Sequence, residues 1–190
     1  MNTGLFFGSF NPIHIGHMVI AGYMLEFTDI DELWFVVSPQ NPLKDESGLA
    51  PENLRLNMVR LAAEDYEPRM QVCDIEFTMP RPSFTIDTLE ALQLKYLDRQ
   101  FTLILGSDSL DTITKWKDYQ QIIRNYSIYV YPRLGSNIED LKKLYPVEFI
   151  AAPVVDISST FIRKSISEGK DVSHFIPQKV FHYIQNQQLY

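Results

Sequence analysis

The sequence has one cysteine, four histidines and two tryptophans in 190 residues. A lone Cys73 excludes an intrachain disulfide and a Cys-based zinc site. Its place between Val72 and Asp74, in a strand-like run, predicts a buried and inert thiol. Long apolar runs are missing too: stretches such as LWFVV (Leu33–Val37) are far too short to span a bilayer. No basic segment followed by a long apolar stretch is visible near Met1, so no secretory signal is read there and the cytoplasm is the expected compartment. Positive charge is scarce. Seventeen Lys and Arg against 24 Asp and Glu leave a net charge of −7, which argues against nucleic acid or an anionic membrane surface as partner. A small anionic ligand stays open, because a few cations and backbone N–H groups can hold one locally. Two nucleotide signatures are absent. No G-x-G-x-x-G follows the first strand-like run and no G-x-x-x-x-G-K-[ST] occurs anywhere, which disfavours a dinucleotide-dependent dehydrogenase and a P-loop ATPase.

What is present alternates. Short runs rich in Val, Ile, Phe and Tyr predict strands at Gly4–Ser9, Glu32–Ser38, Phe101–Ser107, Tyr126–Pro132 and Val147–Ala151, with Met70–Phe77 as a sixth. Such near-continuous apolar runs suit parallel strands covered on both faces. Helical patterns lie between them. From Ile15 to Asp29, apolar residues at 15, 18, 19 and 25 with Gly22 predict the inward face. Pro51–Asp65 begins with Pro and Glu, which favour a first turn. Thr85–Leu97 and Ser158–Gly169 open on hydroxyl residues able to cap, and Gly169 suits a helix end. A last helix follows Pro177. The pattern predicts one α/β domain over residues 1–190, a Rossmann-like parallel sheet flanked by helices.

In open α/β sheets ligands bind beyond the carboxyl ends of the strands, which singles out Phe10–His17, Pro39–Lys44, Asp108–Ser109, Pro132–Gly135 and Asp156–Arg163. After the first strand stands GSFNPIHIGH. Gly8 permits a tight turn or close approach, Pro12 stiffens the loop, and Gly16 lets a ligand approach a helix start. His14 and His17 add donors directed at the same place, so a phosphate is the natural tenant. Spacing alone leaves two other readings, a structural pair of histidines or a zinc ligand pair, although H-x-x-H differs from the i, i+4 pair of H-E-x-x-H. Further on, ISSTFIR (Ile157–Arg163) offers hydroxyl and amide donors at a helix start and a planar guanidinium one turn later.

Together these two stretches resemble the G-x-F-[DN]-P-x-H-x-G-H and S-S-T-x-x-R motifs of the H-x-G-H nucleotidyltransferase superfamily. SPQNPLK (Ser38–Lys44), SFTIDTL (Ser83–Leu89), LILGSDSL followed by KWKDYQQI (Leu103–Ile122) and the tail IPQKVFHYIQNQQLY are similar to segments of bacterial nicotinate-nucleotide adenylyltransferases, so the likeness runs the length of the chain. Phe7, Asn11 and Lys117 depart from it, standing where relatives commonly have Gly, Asp and an aromatic. The resemblance implies transfer of the adenylyl group of ATP to nicotinate mononucleotide, giving deamido-NAD and pyrophosphate by direct in-line attack. It implies that His14, His17 and Arg163 are catalytic, and that ATP is held by Gly8, Ser9, Phe10, Lys44, Gly106, Asp108, Ser158, Ser159 and Thr160 as well. Asn41, Lys44, Thr85 and Trp116 would hold nicotinate mononucleotide: the N–H groups at Thr85 suit a pyridine carboxylate, and Trp116 offers a ring to stack on. Mg²⁺ would be bound mainly through ATP phosphates, with no metal-ligating side chains assigned. The loop Pro39–Pro51 is expected to close over the ligands. A nicotinamide-mononucleotide or phosphopantetheine adenylyltransferase remains the alternative among enzymes, and a nucleotide-binding sensor or a zinc module the alternative outside them.

Overall fold

The computed structural model describes residues 1–40 and 48–190. All six strand expectations are met: β1 (Asn2–Gly8), β2 (Glu32–Val37), β3 (Met70–Cys73), β4 (Gln100–Gly106), β5 (Ser127–Tyr131) and β6 (Glu148–Phe149). They form one parallel sheet in the order β3-β2-β1-β4-β5-β6, with Gly8 opposite Val37 and Phe6 opposite Ile104. The sixth candidate is shorter than Met70–Phe77, because the chain leaves the sheet at Asp74 and winds into a 3₁₀ turn at Ile75–Thr78.

Among the described residues eight α-helices cover the two faces: α1 (Ile15–Phe27), α2 (Glu52–Ala63), α3 (Thr85–Lys95), α4 (Ser107–Asp111), α5 (Tyr119–Asn125), α6 (Ile138–Leu144), α7 (Ser159–Ser167) and α8 (Gln178–Asn186). Strand side chains alternate between two cores, as the period of two requires. Phe6, Leu33, Phe35 and Ile104 meet α1, α2, α7 and α8, while Leu5, Trp34, Leu103 and Val130 meet α3 to α6. Phe35 and Leu103 are fully buried, and burial of this kind stabilises by about 1.5–3 kcal/mol per side chain. No helix among the described residues is long and apolar enough to cross a membrane.

Three local readings change. The inward face of α1 carries Gly16, Ile20, Ala21 and Met24, with Leu25 shared, rather than 15, 18, 19 and 22; Val19 is exposed. Thr85 lies inside α3, and Phe84 occupies the cap position without a side-chain bond. Nearby Ser83 and Thr88 instead spend their hydroxyls on Glu76. Cys73 is half-buried, though burial still pushes its thiol up to about 11, which keeps it inert at neutral pH. The start of α7 behaves as read: Ser158 Oγ accepts from the Phe161 N–H at 3.1 Å. At its end Gly169, with φ of 72°, and Lys170 donate to the carbonyls of Ile166 and Ser165, both at 2.9 Å, closing a Schellman motif.

Candidate active site

The strand order turns at β1, between β2 and β4, which opens a crevice at the carboxyl ends of these strands. The loop after β1 fills it in a fixed shape. Phe10, at φ of 45°, folds its buried ring back so closely that a Cβ on Gly8 would lie 2.8 Å from it. Gly8 therefore makes room for an aromatic of the loop itself. Asn11 is tied on both ends of its amide: Nδ2 donates to the Gly48 carbonyl (2.9 Å), while Oδ1 accepts from the Ala50 N–H (3.1 Å) and the Tyr190 hydroxyl (2.6 Å). Beneath the loop, the Arg55 guanidinium is 1 % exposed and donates to the carbonyls of Ser9, Ser38, Pro39 and Ala50.

His14 caps α1 in extended conformation and is 3 % exposed. Burial, with a smaller contribution from the Arg133 charge, lowers its pKa to about 4, so the imidazole is neutral at neutral pH. Its Nδ1 is buried without a hydrogen-bond partner among the described residues. His17 accepts the His14 backbone N–H on Nδ1 at 3.2 Å, which leaves Nε2 as the protonated nitrogen of the neutral ring. Gly16 has a steric reason. A Cβ there would stand 3.0 Å from both Cε1 and Nδ1 of His14, so the glycine clears space for the histidine ring as much as for a ligand.

The second motif is stitched to the first. Ser159 Oγ donates to the Pro12 carbonyl at 2.9 Å, and Arg163 Nη1 donates to the Asn11 carbonyl at 2.9 Å while Nη2 reaches Thr160 Oγ1 at 3.4 Å. Between the motifs lies a cavity of about 500 Å³. Gly8, Ser9, Phe10, His14 and His17 line it from one side, Ser158, Ser159, Thr160 and Arg163 from the other, and Asp108 from α4. The hydroxyl of Ser9 is buried there with no partner among the described residues. Arg133 completes the wall and was not singled out by sequence. Its backbone N–H donates to Ser107 Oγ at 2.8 Å, and its Nε lies 3.8 Å from Asp108 Oδ2. The only signal for it is position, in the stretch just past β5.

A smaller cavity of about 180 Å³ adjoins the first, lined by Thr85 at the start of α3, the half-buried Trp116, Phe84 and Lys115. Gly106 belongs to this wall rather than to the larger cavity; a Cβ on it would meet Asp108 Oδ1 at 2.4 Å. Glu76, also missed by sequence reasoning, lies here at 2 % exposure. Its carboxylate accepts from Ser83 Oγ (2.6 Å) and Thr88 Oγ1 (2.9 Å), and burial raises its pKa above the usual carboxylate range despite these bonds. The two cavities share Phe6, Phe7, Gly8, Ser109 and Tyr131 as a common wall. Asn41 and Lys44, and most of the loop expected to close, fall in residues 41–47, outside the described residues.

Comparison with known proteins agrees with this geometry. The cytidylyltransferase-like family model matches residues 5–165. A probable nicotinate-nucleotide adenylyltransferase of Flavobacterium johnsoniae is 49 % identical, covering 100 % of this chain and 99 % of its own. Another, from Bacteroides thetaiotaomicron, is 45 % identical over 97 % of this chain and 91 % of its own. A solved structure of Plasmodium falciparum nicotinic acid mononucleotide adenylyltransferase complexed with NaAD superimposes with a TM-score of 0.84 over 100 % of this chain and 97 % of its own, at 22 % identity, and so shares the fold. With both motifs in place on that fold and full-length relatives near half identity, the chain belongs to the nicotinate-nucleotide adenylyltransferase family within the cytidylyltransferase-like proteins.

Proposed function

We infer that this chain transfers the adenylyl group of ATP to nicotinate mononucleotide, forming deamido-NAD and pyrophosphate in NAD biosynthesis. One observation carries the reading: two cavities of different size and chemistry meet at a single wall on the switch point of the sheet. The larger has the cations, imidazoles and helix start that suit a triphosphate. The smaller pairs aromatic Phe84 and Trp116 with the amino end of α3, which suits a flat ring bearing a carboxylate.

The reaction needs no covalent enzyme intermediate. The phosphate of nicotinate mononucleotide attacks the α-phosphorus of ATP in line, and pyrophosphate departs. Catalysis is then positioning and charge stabilisation. His14 and His17 stabilise the five-coordinate phosphorus and the leaving pyrophosphate. Arg163, Arg133 and the amides of Ser159 and Thr160 hold the phosphate chain. Asn41, Lys44, Thr85 and Trp116 serve the mononucleotide, Lys44 reaching phosphate as well. Among the described residues no cluster of three His, Cys, Asp or Glu could hold a metal, and Asp108 is the one acidic side chain in the larger cavity. That donor set fits a hydrated Mg²⁺ carried on the triphosphate, with Asp108 the residue that would hold it through water. When bound, the ion neutralises charge on the phosphate chain.

The test is pyrophosphate release by the purified protein with ATP and Mg²⁺, comparing nicotinate mononucleotide, nicotinamide mononucleotide and phosphopantetheine. Strong preference for the first is expected, and His17→Ala should lower that turnover by about 100-fold or more while the protein still folds. Release with phosphopantetheine alone, or full turnover by His17→Ala, would sink the reading.

A further inference from the structure

We propose that Tyr131 is a further catalytic residue: its hydroxyl donates a hydrogen bond to a non-bridging oxygen of the α-phosphoryl group as that group passes from pyrophosphate to the mononucleotide. The proposal rests on adenylyl transfer and on where that transfer must occur. A group held in one cavity reacts with a group held in the other, so the reacting phosphorus has to stand at their shared wall. Of the five described residues in that wall, Phe6, Phe7 and Gly8 have no side-chain donor; Ser109 and Tyr131 do.

Tyr131 carries its hydroxyl on a rigid arm. It is the last residue of β5, in register with Gly106, the last residue of β4. Its ring packs edge-on against Phe6, centroids 5.9 Å apart at 74°. Its hydroxyl stands 3.2 Å from where a Cβ on Gly106 would be, so the absent side chain of Gly106 is what leaves room for it. Among the described residues none hydrogen-bonds to this hydroxyl, and the half-buried side chain lines both cavities. Burial pushes its pKa up to about 12, with the Arg133 charge opposing, so the proton stays on and the group is a donor throughout the neutral range. A fixed donor aimed where negative charge develops stabilises the transition state without reorganising.

Bonds and charges balance without the proton moving. A phosphate oxygen of the mononucleotide forms a bond to the α-phosphorus, the bond from that phosphorus to the bridging oxygen of pyrophosphate breaks, and the electron pair leaves with pyrophosphate. The Tyr131 proton is shared with a phosphoryl oxygen and never transferred.

Tyr131→Phe keeps the ring against Phe6 and removes no hydrogen bond among the described residues. Steady-state kinetics with ATP and nicotinate mononucleotide should show kcat lowered roughly 10- to 100-fold, KM for both substrates within about twofold, and an unchanged melting temperature. The penalty should shrink to about threefold or less with one diastereomer of the α-phosphorothioate of ATP, because sulfur at the contacted position already weakens the bond. An unchanged kcat overturns the proposal. So does a raised KM with kcat intact, or an equal penalty with ATP and both diastereomers. Wild-type protein that forms no deamido-NAD would instead overturn the reaction itself, so the two failures are separable.

Discussion

The imidazoles of His14 and His17 lie with centroids 3.8 Å apart and planes tilted by 31°, and the backbone N–H of the first fixes the tautomer of the second. Two cations this close would repel. Burial of His14 keeps one of them neutral at neutral pH.

That burial has a stability consequence of definite sign. The folded pKa of His14, about 4, lies below the ordinary value of 6.5, so the unfolded chain takes the proton first as pH falls. Its contribution is therefore present above pH 6.5 and is lost progressively down to about pH 4. Wild type should lose about 2 kcal/mol more than His14→Gln between roughly pH 7 and 5. Urea unfolding of both proteins at both pH values measures it, and parallel losses would contradict it.

Arg163 divides its fork between the Asn11 carbonyl and the cavity. Lysine keeps the charge but cannot hold both at once. Arg163→Lys should lower kcat/KM for ATP by about 10-fold or more with little change in thermal stability. Kinetics beside a melting curve would show whether activity falls without the fold.

Arg55 spends four donors on four carbonyls, those of Ser9 in the first motif, Ser38, Pro39 and Ala50. A buried carbonyl left without its partner is costly, and Lys cannot span the set. Arg55→Lys should destabilise the protein by about 2–4 kcal/mol in urea unfolding. A loss below about 0.5 kcal/mol would mean that the carbonyls find other donors.

Glu76 braces Ser83, just ahead of α3, and Thr88, in its first turn, so the helix start facing the smaller cavity is held from behind. Glu76→Gln should raise KM for nicotinate mononucleotide severalfold and leave KM for ATP nearly unchanged. Because burial raises the Glu76 pKa above 4.5, the carboxyl favours folding below that value and loses this contribution as pH rises. The variant should therefore gain stability relative to wild type toward neutral pH, which the same titration of unfolding would reveal.

Much of this was legible in the sequence for physical reasons. A strand buried on both faces must be apolar almost throughout, and so LWFVV announced β2. The first motif was legible because close packing admits few alternatives: Gly8 faces the Phe10 ring and Gly16 the His14 ring. The inward face of α1 was not legible, since IGHMVIAGYMLEF is apolar nearly all round and its period selects no face. Helices α4, α5 and α6, of five to seven residues, are too short to display a period. Arg133, Glu76 and Tyr131 belong to no local pattern; strands and turns far apart in sequence bring them to the crevice.

The most direct test of the account is a crystal structure of the protein with deamido-NAD bound. The pyridine ring should lie in the smaller cavity beside Phe84 and Trp116, with its carboxylate at the start of α3. The adenylyl half should occupy the larger cavity, and the diphosphate should cross the shared wall beside Tyr131. A dinucleotide lying wholly within the larger cavity, or with its adenine against Trp116, would contradict the account.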